Sequence, residues 1–183
     1  MKNVVVLLAC FAIATACSKR EETPVEFVEN TAAAATAPLN AEFADLKYVE
    51  MGKKDLAALN AGNLDGYLSS FSDNARFYMS GGDSLIGKPA IAAYWKERFK
   101  VYVKSASFVN DIWTPLKVNV SQRKQDVPGV WLLSWYQTNV EYNNGQKLSY
   151  WVHADFHYDS SDKIDVAILY MDRAPIVAAL ARK

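Results

Sequence analysis

Three observations predict an α+β domain. Apolar residues recur at helical spacing from Phe43 to Leu59, the chain after residue 105 alternates as β-strands do, and Asn144-Gly145 divides two long alternating stretches. Helices first and strands afterwards place the helices on one face of a curved antiparallel sheet.

The first forty residues stand apart from that domain. Lys2 precedes the apolar run Val4–Ala14, which suits a signal-peptide core and falls short of the ~20 residues a membrane-crossing helix needs. Small residues lead to Cys17 in "ATAC", a pattern that resembles a bacterial lipobox and makes Cys17 the expected lipidation site. "LLAC" at Cys10 also fits, but cleavage there would strand "FAIATA" on the mature chain. The expectation is a signal peptide over 1–16 and a flexible tether over 17–40, rich in charge and then in Ala and Thr. Such a tether spans on the order of 25 Å as a coil. With Cys10 cleaved and Cys17 acylated, no thiol is left for a disulfide. Lys and Arg number 20 against 20 Asp and Glu, and losing Lys2 leaves one net negative charge. That balance gives no electrostatic ground for nucleic-acid binding.

Residues 41–183 suffice for one domain. From Ala41, the residues Phe43, Leu46, Val49, Met51, Leu56 and Leu59 predict one buried helical stripe that ends at Gly62. Asn63 is the expected N-cap of a second helix over Leu64–Phe71. "ARFYM" (75–79) reads as a strand, "SGGD" as a turn and "SLIG" as a short edge element, before a helix led by Pro89. Pro115 interrupts the next alternating run and predicts a bulge or an edge position. A long hairpin, a last strand "KIDVAILYM" and a short terminal helix complete the order.

The stretches "ALNAGNLDGYLSSFSDNARF" (58–77), "GKPAIAAYW" (87–95) and "DFHYDSSDKIDVAILYM" (155–171) resemble the nuclear-transport-factor-2-like superfamily, which includes SnoaL-like cyclases and ketosteroid isomerases. The resemblance implies a cone-shaped fold enclosing a cavity, and a homodimer formed through the outer sheet face. It does not carry the isomerase chemistry. The catalytic Tyr, the Asp base and the protonated Asp would fall on Asp55, Met79 and Ala154. A thioether and a methyl group neither shuttle nor donate a proton.

Both histidines lie in "SYWVHADFHYD", flanking Asp155. With Asn144-Gly145 as a two-residue loop, Tyr136 faces His153, Ser134 faces Asp155 and Leu132 faces His157. Leu132, Ser134, Tyr136, Thr138, Trp151, His153, Asp155 and His157 then share one face. Trp131, Leu133, Trp135, Gln137, Val152, Ala154 and Phe156 share the other, which is more apolar and is assigned to the cavity. Three readings of the histidines compete. A metal site is poorly supported, because His153 and His157 lie about 13 Å apart along a strand. A His153–Asp155 acid–base pair requires the faces to be inverted. The third reading is a semi-polar outer surface suited to a subunit contact.

The expected cavity set is Asp55, Met79, Trp95, Trp131, Trp135, Gln137, Ala154 and Phe156, with His153 and Asp155 as the catalytic candidates. No metal or cofactor is expected. The functional expectation is a lipid-anchored, extracytoplasmic protein whose cone binds a small apolar or amphipathic molecule. Ser18 after Cys17 favours the outer over the inner membrane. The alternatives are a SnoaL-like isomerase, cyclase or hydrolase, and a structural dimerisation domain.

Overall fold

The computed structural model describes residues 39–121 and 127–182. The expected signal peptide, Cys17 and all but the last two residues of the expected tether lie outside the described residues. The elements are β1 (Ala41–Phe43), α1 (Lys47–Asn60), α2 (Leu64–Leu68), β2 (Phe71–Met79), β3 (Ser84–Ile86), α3 (Lys88–Val101), β4 (Val103–Val118), β5 (Gly129–Tyr142), β6 (Lys147–Tyr158), β7 (Ile164–Tyr170) and α4 (Ala174–Ala181). Seven strands form one sheet in the order β1-β4-β5-β6-β7-β2-β3, antiparallel except for the β2–β7 pair. Among the described residues no helix is long and apolar enough to cross a membrane.

α1 buries Tyr48, Gly52, Asp55 and Leu56, a four-three-one spacing that places all of them on one face. The helix lies close to the sheet because position 52 has no side chain. A Cβ there would sit 2.6 Å from both Leu132 and Trp113. Asn63 caps α2 as expected, its Oδ1 accepting from Gly66 N at 2.9 Å. The predicted start of α1 needs correcting. Residues 41–43 pair with β4 as an edge strand, and Phe43 and Leu46 are exposed. The second helix also stops at Leu68, so Phe71 opens β2.

β4 bends where its register with β5 shifts between Val109 and Ile112, with Asn110 at φ 56°. Such bulges curl a sheet around its contents. Pro115 lies outside that bulge. Its carbonyl accepts from Ala44 N, so its ring nitrogen faces the same edge and removes no bond to β5.

The β5–β6 hairpin differs from expectation by one residue. Asn143, Asn144 and Gly145 form a three-residue loop closed by Tyr142 N donating to Gln146 O at 2.9 Å, with Gly145 at φ 81°. Asn144 is held out of a two-residue turn by α4. Its Nδ2 donates to the carbonyls of Ala179 (2.9 Å) and Arg182 (2.7 Å). Trp135 therefore faces His153, and Ser134 faces Ala154.

A slip of one turns a whole strand over. β6 keeps its predicted faces, with Val152, Ala154 and Phe156 buried inside. β5 is inverted: Leu132, Ser134, Tyr136 and Thr138 are the buried set, whereas Trp131, Trp135 and Gln137 are half-exposed on the outer face.

Candidate functional site

Among the described residues, two hollows lie between the helices and the inner sheet face. The larger, about 200 Å³, is lined by α3, α4 and the inner residues of β2, β4, β5, β6 and β7. Its walls are apolar and aromatic: Met79, Trp95, Phe99, Phe108, Val140, Val152, Leu169 and Ile176 are among them. Among the described residues, no Asp, Glu, His, Lys or Cys contributes to this lining. The polar groups are hydroxyls, one indole and two guanidinium groups. Trp95 Nε1, Thr138 Oγ1 and Tyr142 Oη are buried with no hydrogen-bond partner among the described residues. Arg173 donates to Asp83 at 2.6 Å, while no carboxylate pairs with Arg98 among the described residues. Burial pushes the pKa of the Tyr142 and Tyr150 phenols up, and the nearby charge of Arg98 opposes that rise.

The smaller hollow, about 20 Å³, has room for roughly one water. Gly52, Asp55, Leu56, Leu59, Tyr67, Trp113, Tyr136, Phe156 and Tyr158 surround it. Tyr136 lines both hollows. Asp55 is 9% exposed, and its Oδ1 accepts from Ser70 Oγ at 2.6 Å. Burial raises its pKa to about 6, against which the Ser70 hydroxyl and the Lys54 and Lys163 charges pull down. Tyr67 and Tyr158 are pushed up in turn, chiefly by burial. Although Asp55 follows Lys54 in the sequence, its side chain is buried in the wall of this hollow.

The histidines lie on the opposite side of the sheet in two separate pairs. His153 Nδ1 is 3.0 Å from Ser134 O, and its Nε2 is 2.9 Å from Asp155 Oδ1, an ion-pair distance outside hydrogen-bond geometry. His157, 5% exposed, places Nδ1 2.5 Å from Asp165 Oδ1 and Nε2 3.1 Å from Pro128 O. In both pairs one ring nitrogen meets a carbonyl, which only accepts, and the other meets a carboxyl. Burial raises Asp155, and the His153 charge opposes that rise. The rings also stack, His153 lying 4.5 Å from Trp135 and 5.6 Å from Tyr170 between centroids.

Of the residues expected at the cavity, the structure places Met79 and Trp95 on the larger hollow, and Asp55 and Phe156 on the smaller. Ala154 is fully buried beneath Ser134, whose Oγ donates to its carbonyl. Trp131, Trp135 and Gln137 belong to the outer face, a correction that follows from the three-residue loop. His153 and Asp155 meet each other there and reach neither hollow. Sequence reasoning missed Arg98, Tyr142 and Tyr150, which only the packing of α3 over the hairpin brings together, and Asp165, the partner of His157. It also assigned Tyr136 and Thr138 to the wrong face.

No protein-family model matches the chain, and comparison with curated proteins finds no match. Solved structures do match, the three named next at low identity. A provisionally assigned polyketide cyclase from Pseudomonas putida KT2440 is 19% identical, with a TM-score of 0.58 over 71% of this chain and 95% of that one. An NTF2-like protein of unknown function from Burkholderia pseudomallei K96243 is 11% identical, with a TM-score of 0.58 over 73% and 96%. AclR, a provisionally assigned hydroxylase from Streptomyces galilaeus, is 11% identical, with a TM-score of 0.55 over 76% and 99%. The chain has the nuclear-transport-factor-2-like cone fold that these proteins share. One fold carrying such different labels leaves the chemistry to be argued from the site.

Proposed function

We infer that the domain binds a small, largely apolar molecule in the hollow between α3, α4 and the sheet. The observation that carries this is the lining: aromatic and aliphatic walls with a few hydroxyl, indole and guanidinium donors and, among the described residues, no carboxylate, imidazole, amine or thiol. Acid–base turnover needs a group titrating near working pH within reach of the ligand, and these walls supply none. At about 200 Å³ the space is below the usual range for drug-sized ligands. It suits on the order of ten non-hydrogen atoms, given ~30 Å³ per water in the liquid and the closer packing of bonded atoms. The chain purified from its native cells, denatured and extracted, is expected to release such a molecule near one per chain. Ala106→Trp, which fills the hollow, is expected to release none. Equal recovery from both variants would sink the reading.

Asp55 favours a second, catalytic reading, because a buried carboxyl titrating near 6 is what a general base requires. Its chamber admits about one water and no substrate while Tyr136 stands between the hollows. This moves the enzyme alternative of isomerase, cyclase or hydrolase away from His153–Asp155 and onto Asp55. Dimerisation is proposed for the outer face, where Ile112 (56%), Trp151 (52%) and Tyr170 (45%) are exposed. Sedimentation should show a dimer for the wild type and a monomer for Trp151→Glu. Anchoring at Cys17 in the cell envelope is proposed from the lipobox resemblance, and Cys17→Ser should shift the chain to the soluble fraction.

A further inference from the structure

We propose that the ligand of the larger hollow is a small monocarboxylate, its carboxyl held by Arg98 beside Tyr142 and Tyr150 and its apolar body lying against Trp95, Phe108 and Val152. The proposal rests on the binding reading above and adds a charge to it. Three features point the same way.

The first is the unpartnered guanidinium. Arg98 is half-buried in the cavity wall, where among the described residues no carboxylate meets it. A cation in an aromatic wall loses hydration, and a carboxylate restores the loss through two parallel N–H···O bonds. The second is the polarity of the orphaned atoms. Trp95 Nε1 only donates, and the Tyr142 and Thr138 hydroxyls, each with a proton to give, have no hydrogen-bond partner among the described residues. Buried donors left empty are costly, so an acceptor-bearing ligand gains where a pure hydrocarbon would not. The third is charge count. Arg173, the other cation at the lining, is already neutralised by Asp83. One free positive charge balances a monoanion, whereas a phosphate dianion would enter with an uncompensated charge. Among the described residues the walls hold no carboxylate to repel an anion.

The test titrates the full chain calorimetrically with aryl and alkyl monocarboxylates of eight to twelve non-hydrogen atoms, 3-phenylpropanoate among them, each paired with its neutral amide and with phenyl phosphate as a dianion. The acids are expected to bind at least tenfold more tightly than their amides and than phenyl phosphate. Arg98→Gln should weaken the acids at least tenfold while leaving the amides and the melting temperature unchanged. If amides bind as tightly as acids and Arg98→Gln alters neither, the carboxylate assignment is overturned and the binding reading survives. Stronger binding of phenyl phosphate than of any acid overturns the charge argument alone. If neither acids nor amides bind, both the assignment and the binding reading fall.

Discussion

Asp55→Asn is expected to stabilise the fold by about 2–3 kcal/mol at pH 8 and by almost nothing at pH 4. The carboxyl is 9% exposed and its pKa is raised from 3.8 to about 6, with burial the largest cause. A folded-state pKa above the unfolded value means the native chain holds this proton more tightly. The stability from that proton is complete below about pH 3.8 and is lost as pH rises through about 6. Two pKa units at ~1.4 kcal/mol each set the scale of the loss. Above pH 6 the wild type carries an ionised carboxylate in an apolar chamber, whereas Asn carries no charge and still accepts from Ser70 through Oδ1. Urea denaturation of both proteins at pH 4 and pH 8 measures the difference directly. Equal stabilities at pH 8, or a loss that does not change with pH, would show that Asp55 is not desolvated.

Asp55 also shows where sequence reading stops. The family resemblance put Asp55 at the cavity, but helical spacing alone gave no reason for it, since it follows Lys53 and Lys54 in a charged run. What turns Asp55 inward is the close approach of α1 to β5 through Gly52, a contact between residues 80 positions apart. The hairpin is similar. Asn144-Gly145 located the turn and the alternation located the strands, and both histidines are on the outer face as the pattern of β6 required. The loop length was settled elsewhere, by Asn144 reaching the end of α4. That single residue inverted β5, moved Trp131, Trp135 and Gln137 outward, and brought Tyr136 and Thr138 inward. Local patterns thus recovered the elements and their order apart from β1, which they read as the start of α1. The walls of the cavity, drawn from strands and helices far apart in the chain, depended on tertiary contacts.

Tyr136→Ala is expected to change what the domain binds and to cost about 3 kcal/mol or more of stability, the scale of aromatic truncations in a core. Tyr136 is 7% exposed, meets Phe108 edge-on at 5.9 Å between centroids, and contributes wall to both hollows. Removing its ring joins a space of about 200 Å³ to one of about 20 Å³ and adds the volume of the ring itself. The merged space extends from Arg98 at one end to Asp55 at the other. Two consequences separate this merging from simple damage to the core. In a series of monocarboxylates of increasing length, the tightest ligand should be longer by about one ring than the wild-type optimum. Affinity for these ligands should also fall as pH rises through about 6, because an ionised Asp55 would then face the inner end of the ligand, whereas the wild type, with Tyr136 in place, should show no such step. If stability falls but the length optimum and the pH profile stay put, the surrounding side chains have collapsed into the gap. Asp55 would then belong to a sealed chamber, and the catalytic reading would lose the route by which a substrate reaches it.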